Sequence, residues 1–149
     1  MQYKLPVSVL VVIYTLDFEV LLLERADHPG FWQSVTGSQD EGESLRETAV
    51  REVFEETGLD ANRFTLVDWQ AKNIYEIYAK WQHRYAPGTR HNTEHVFGLE
   101  LSCMLPVQLS LREHLSYKWL PWKEAAGLVF SPSNREAILQ LPERERAGG

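Results

Sequence analysis

Apolar runs broken by short polar stretches dominate the first quarter of the chain. "VSVLVVIY" (7–14) and "VLLLE" (20–24) are rich in Val, Ile and Leu, and only "TLDFE" lies between them. This pattern predicts two neighbouring strands joined by a hairpin-like link. "FWQSV" (31–35) predicts another short strand, and "FTLVDWQ" (64–70), "NIYEIYAKW" (73–81) and "EHVFGLELSCML" (94–105) add three more. The Pro-Gly pair of "QHRYAPGTRHN" marks a loop between the last two.

Two stretches have helical spacing. One covers roughly 45–57, and the other about 134–141, with Ser133 or Asn134 placed to cap "REAILQL". A shorter helical turn is expected after Trp122, and the tail, about 143–149, is expected to be frayed and solvated. Strands therefore dominate around an early long helix, which predicts an α+β fold with a mixed sheet. No repeat, low-complexity tract or Pro/Gly-rich linker interrupts the 149 residues, so a single domain is expected over 1–149.

Composition changes this picture in three places. A net charge of −6 and a pI near 5.4 argue against a broad nucleic-acid surface, which needs clustered Lys and Arg. The opening apolar run is too short to span a bilayer and lacks a small-residue cleavage site, so a cytoplasmic protein with no membrane partner is expected. The single Cys103 cannot form an intrachain disulfide, and its apolar setting predicts a buried, inert thiol. Five tryptophans and six tyrosines leave room for a flat pocket that takes a ring-shaped ligand.

Helix 45–57 carries the candidate chemistry. Ser44 and Glu47 form an S-x-x-E capping box, and Gly58 stands where a left-handed C-terminal residue is needed. Each helical residue advances about 100° around the axis. Measured from Leu45, Ala49 falls at about 40°, Val53 at about 80°, Val50 at about 140° and Phe54 at about 180°, a broad apolar arc. Glu55 falls at about 280°, Glu52 at about 340° and Glu56 at about 20°, so three carboxylates share one stripe and Glu56 lies against the apolar edge. Arg51, at about 240°, is spaced to bridge Glu47 and Glu55 but cannot serve all three stripe acids. A solvated acidic face is the ordinary explanation of such a stripe. It does not account for Glu56, because an ionised carboxylate at a core boundary is costly unless paired or bound to metal. Hard divalent cations take one or two carboxylates together with phosphate and water, which this cluster can offer.

The surrounding segment, "GSQDEGESLRETAVREVFEETGL", resembles the Nudix hydrolase box, G-x5-E-x7-R-E-U-x-E-E-x-G-U with U a bulky aliphatic residue. It agrees at Gly37, Glu43, Arg51, Glu52, Val53, Glu55, Glu56, Gly58 and Leu59. The resemblance implies an α/β/α sandwich with a mixed sheet and a loop–helix–loop, and magnesium-dependent hydrolysis of a pyrophosphate linkage, with manganese as a possible substitute. It implies that Glu52, Glu55 and Glu56 ligate the metal, that Gly37 lets the backbone approach it, and that Glu43 and Arg51 brace the motif. The general base is left between Glu56 and Glu113.

Outside the box, "KLPVSVLVVIY", "FWQSVTGS", "HRYAPG", "EHLSYKWL" and "SNREAI" resemble the bacterial dihydroneopterin triphosphate pyrophosphatases of folate synthesis, from about Lys4 to Ile138. That resemblance implies release of pyrophosphate to leave the monophosphate, with deoxynucleoside triphosphates such as dATP as an alternative substrate class. It implies Glu113 as a further metal ligand and catalytic residue. Lys4, Arg25, Thr36 and Ser131 become substrate contacts, and Tyr75, Glu76, Ile77 and Tyr78 a pocket wall. Leu5 departs from the group, where a second basic residue is common. His83, His91, His95 and His114 fit no zinc spacing and are assigned no metal. A small triphosphate is thus the expected partner, and a monomer the expected state. A Nudix-fold binding domain without catalysis is the competing class, yet every box acid is present.

Overall fold

The structure, a computed structural model, describes residues 2–148. Val7–Thr15 forms β1 and Glu19–Arg25 forms β2; Trp32–Gln33 and Val35–Ser38 form the short β3 and β4. Helix α1 spans Leu45–Thr57, followed by β5 (Thr65–Glu76), β6 (His91–Leu101) and β7 (His114–Pro121). Three short helices close the described chain: α2 (Trp122–Leu128), α3 (Pro132–Leu139) and α4 (Leu141–Gly148).

One seven-stranded sheet runs β3-β2-β1-β6-β5, with β4 paired to β1 and β7 paired to β2. β1 and β6 are parallel from Val7↔Thr93 to Thr15↔Leu101, and the remaining pairs are antiparallel, so the sheet is mixed. The other edge of β1 is shared. Ser8 to Val11 pair with β4, while Tyr14↔Val20 is the pairing with β2. β2 therefore leaves β1 early and continues beside β7 as far as Arg25↔His114. A cleft opens where β2 and β4 part.

The unbroken apolar run of β1 reflects burial on both faces. Val9, Val11 and Ile13 pack with Ala49 and Val53 of α1, and Leu10, Val12 and Tyr14 pack with Ala125, Ala126, Ala137, Ile138 and Leu141. Helices cover both sides of the sheet, the α/β/α sandwich that the box resemblance implies. Each fully buried Val or Leu contributes about 1.5–3 kcal/mol.

Several expectations are corrected. The two strands expected at 64–70 and 73–81 are one strand, β5, kept continuous by a bulge between Asp68 and Ala71, with Gln70 at φ 55°. Beyond Glu76 the chain forms a 3₁₀ turn, Ala79–Arg84. "FWQSV" breaks at Ser34, whose buried N–H donates to Asn134 Oδ1 at 2.8 Å instead of to a strand. β6 starts earlier than expected and ends at Leu101, where its partners β1 and β5 also stop; Cys103 lies beyond and is exposed. Strand β7 is not among the elements that the pattern predicts. The late helix begins at Pro132 and is capped by Ser131, since proline suits the first helical position. The expected frayed tail is helical as far as Gly148, with Glu145 accepting from the Tyr14 hydroxyl at 2.9 Å; Gly149 lies outside the described residues.

Phe54, placed by its bearing in the core arc, is 61% exposed. The buried face of α1 is centred on Glu56 instead: Thr48, Ala49, Glu52, Val53, Glu56 and Thr57 are all buried. Phe54 stands about 160° from Glu56 on the helix and faces water.

Candidate active site

The local frame of α1 forms as its sequence requires. Ser44 accepts from the Glu47 N–H at 3.1 Å, Glu47 accepts from the Ser44 N–H at 2.8 Å, and Gly58 adopts φ 77° while its N–H donates to the Phe54 carbonyl. With Glu47 occupied in the cap, Arg51 turns the other way. Its Nε and Nη2 donate to Glu43 at 2.7 and 3.0 Å, its Nη2 to the Ser38 carbonyl at 2.9 Å, and its Nη1 to Glu52 at 2.7 Å. Nη1 also reaches Glu55, at 3.3 Å. The expected Arg51–Glu47 bridge is thus replaced by a clamp between β4, the following loop and α1. Beside Arg51 the Glu43 carboxyl is held down at about 2, and the Arg51 guanidinium is pushed up.

Arg51 does not reach Glu56. That carboxylate is 2% exposed, and its Oε1 has no hydrogen-bond partner. Burial first, then the neighbouring Glu52, raises its proton affinity well above the ordinary carboxylate range; the Thr36 N–H opposes this by donating to it. Glu52 is also raised by burial, against the pull of Arg51. The two acids therefore share a proton readily when no cation is near. Gly37 leaves room for this packing, because a Cβ there would overlap the Glu52 carboxylate and push it aside.

A cleft of about 820 Å³ runs from these acids across the end of the sheet. It is lined by Lys4, Arg25, Thr36, Gly37, Glu52, Glu56, Tyr75 and Glu113, eight of the residues singled out in the sequence. Glu113 is brought in by a turn whose carbonyl accepts from the Ala26 N–H at 2.9 Å. Glu55 is more exposed and lines an adjoining hollow with Arg112 and Glu113. Ile77 is buried, and Glu76 and Tyr78 are exposed; none of the three lines the cleft. Ser131 serves as the cap of α3, with its hydroxyl 3.0 Å from that of Ser133, outside the cleft lining.

The cleft also contains Asn92, Trp81 and Arg84, which sequence reasoning missed, and His114, which it named only as a histidine without a metal. Asn92, 1% exposed, donates through Nδ2 to Ser8 at 2.7 Å and to the Tyr75 hydroxyl at 3.1 Å, while its Oδ1 has no partner. Burial raises the Tyr75 phenol to about 12, so it remains a neutral donor. His114, 3% exposed, places Nε2 at 3.6 Å from Glu56 Oε1, and burial lowers it to about 4, leaving the imidazole neutral at pH 7. Trp81 and Arg84 enter from the 3₁₀ turn. Only the register of β5 on β6 (Tyr75↔Asn92) and of β2 on β7 (Arg25↔His114) brings Asn92 and His114 here. Asn92 stands at the end of the expected loop, and neither residue carries a local signal of this convergence.

The donor set suits a hard divalent cation. It consists of carboxylate oxygens with one buried oxygen unpartnered, beside a glycine backbone that leaves space for their approach. Among the described residues, no three His, Cys, Asp or Glu side chains converge on one metal position, and Glu52 and Glu55 are ion-paired to Arg51 at 2.7 and 3.3 Å.

A mixed sheet between helices, a clamped loop–helix–loop and a buried glutamate pair define the class, and the chain belongs to the NUDIX domain family, which it matches over residues 4–141. Enzymes of this family generally need a divalent metal. Among particular proteins, the chain is 51% identical over 142 residues to the dihydroneopterin triphosphate diphosphatase of Escherichia coli K12, covering 93% of each. It is 44% identical to the Haemophilus influenzae enzyme of the same name, covering 93% of this chain and 88% of the other. The solved structure of the E. coli dihydroneopterin triphosphate pyrophosphohydrolase superposes with a TM-score of 0.88 at 50% identity, over 94% of this chain and 97% of that one. No described helix is long and apolar enough to cross a membrane.

Proposed function

We propose that the protein hydrolyses dihydroneopterin triphosphate to dihydroneopterin monophosphate and pyrophosphate, with Mg2+ held by Glu52, Glu56 and Glu113 and assisted by Glu55. The observation that carries this reading is the buried Glu52–Glu56 pair, set against Gly37 in a cleft that continues to Tyr75 and Asn92. The E. coli and H. influenzae relatives are dihydroneopterin triphosphate diphosphatases, and identity across nearly the whole chain supports the same substrate. When bound, a magnesium ion would neutralise phosphate charge and lower the pKa of water.

The residues of the chain supply the remainder. Lys4 and Arg25 offer charge-assisted donors to the phosphates, and Thr36 borders the same space. Tyr75 presents a ring face and a phenol, and Asn92 an amide, to a flat heterocycle. Water adds to phosphorus as the anhydride bond to pyrophosphate breaks, and a carboxylate takes the proton of water. Glu56 is our first choice for that base, by its position in the cleft lining, and Glu113 the second.

Product analysis with dihydroneopterin triphosphate, with and without magnesium, tests the reading. Pyrophosphate and the monophosphate should appear together only when magnesium is added. A general nucleotide pyrophosphatase would instead show a kcat/KM for dATP equal to or above that for the pterin, which would overturn the substrate assignment.

A further inference from the structure

Lys4, Arg25 and Arg84, three of the four Lys and Arg residues that line the cleft, lie near one another, with Arg112 the fourth. The Lys4 N–H donates to the Arg84 carbonyl at 2.9 Å, and Lys4 forms an isolated parallel bridge with Tyr85. Trp81 lies between the arginines: its ring centroid is 4.6 Å from the Arg25 guanidinium and 5.9 Å from that of Arg84. Asp27 supplies one negative charge to the pair. It takes Arg25 Nε and Nη2 at 2.7 Å each, and Arg84 Nη2 at 3.5 Å. Arg25 is further held by Gln33, which accepts from Nη1 at 2.9 Å. Arg25 is thus braced along its whole edge, whereas Arg84 meets Asp27 only at long range and keeps donors available for an incoming anion.

Acids in the same cleft offset some of the charge in this corner. Burial and then Arg84 lower the proton affinity of the Lys4 ammonium; Glu52 opposes them, Arg25 adds to the lowering and Glu113 opposes it. Two arginines that share the Asp27 carboxylate, with Lys4 joined to the same turn, form a site suited to a polyanion.

We propose that Arg84 is a phosphate-contacting residue that, with Lys4 and Arg25, receives the triphosphate chain in the cleft also lined by Glu52 and Glu56. The inference rests on the ligand being a triphosphate, as in the proposed function, and not on the identity of its ring. A guanidinium supported on an aromatic face presents a planar fork that matches phosphate oxygens, and lysine cannot reproduce it.

The test is calorimetric titration of inorganic triphosphate into metal-free protein at low ionic strength. Wild type is compared with Arg84→Gln, Arg84→Lys and Arg63→Gln; Arg63 is an exposed arginine away from the cleft. Losing one charge-assisted contact should weaken binding about tenfold or more in Arg84→Gln, with partial recovery in Arg84→Lys and little change in Arg63→Gln. KM for the triphosphate substrate should rise by a similar factor while kcat changes less than about threefold. Phenylglyoxal labelling of the wild type gives an answer even should Arg84→Gln fold poorly, because inorganic triphosphate should protect Arg84. Equal binding by wild type and Arg84→Gln, an equal loss in Arg63→Gln, or absent protection overturns the proposal. If the pterin proves not to be the substrate, the ringless probe still decides the role of Arg84.

Discussion

Glu56→Gln should make the metal-free protein more stable while removing its activity. Glu56 is 2% exposed, with one oxygen unpartnered, and its proton affinity is raised by burial and by Glu52. Glutamine keeps nearly the same shape. Its oxygen can accept from the Thr36 N–H, and its amide can donate to Glu52 without a buried charge. Removing an unsatisfied buried group is worth about 1–3 kcal/mol, and each kcal/mol shifts Tm by about 2–4 °C in a chain of this size. The sign of the pH dependence follows from linkage. A raised carboxyl holds its proton in the folded state after the unfolded state has released it, so wild-type stability is greatest below the ordinary value of 4.5 and falls as pH rises toward the folded value. Glutamine does not titrate, so its advantage should be larger at pH 7.5 than at pH 5.5. Differential scanning calorimetry in EDTA at both pH values reads this directly. Added magnesium should raise the wild-type Tm and narrow the gap, and kcat of the variant should fall by about a hundredfold or more. A variant that melts below the wild type in EDTA, or turns over at the wild-type rate, would refute the argument that this residue trades stability for function.

Three other substitutions test other parts of the site. Gly37→Ala should push the Glu52 carboxylate aside and reduce kcat by about a hundredfold, with weaker Mn2+ binding by calorimetry and a fold unchanged by circular dichroism. In Glu43→Gln, the clamp on Arg51 loses its strongest partner. Because Arg51 holds Glu43 at about 2, the stability that Glu43 contributes is present above pH 4.5 and lost as pH falls toward 2. The variant should be about 1 kcal/mol less stable at pH 7 and show a flatter acid limb in urea titrations. Ser131→Ala should cost about 1 kcal/mol through loss of the α3 cap while leaving KM unchanged; a KM raised severalfold would instead make Ser131 a substrate contact.

The outcome at the individual elements shows why some features are readable in the sequence and others are not. The ends of α1 are legible because a capping box and a C-terminal glycine are local signals, satisfied within a few residues. The bearing of Phe54 misleads, since bearings alone do not say which side of an apolar arc meets the sheet. The direction is set by the buried Glu52 and Glu56, which a hydrophobicity pattern counts as polar. β7 escapes the pattern because it is only partly buried and its pairing with β2 joins distant parts of the chain. The polar composition of the tail suggests solvation, while Tyr14 and Trp69 offer partners from elsewhere: Arg144 donates to the Trp69 carbonyl at 3.2 Å.

The sequence by itself determined the acidic stripe, its caps, its glycine approach and its resemblance to one hydrolase box, because all of these lie within residues 37–59 and depend on helical spacing. Only the tertiary structure decided which acids are buried, where Arg51 spends its donors, and which distant side chains complete the cleft. Asn92 enters by the pairing of β5 with β6, His114 by the pairing of β2 with β7, and Arg84 by the backbone contact of a 3₁₀ turn with Lys4. The physical reason is that charge and spacing are properties of a segment, whereas desolvation and convergence are properties of packed surfaces from separate segments.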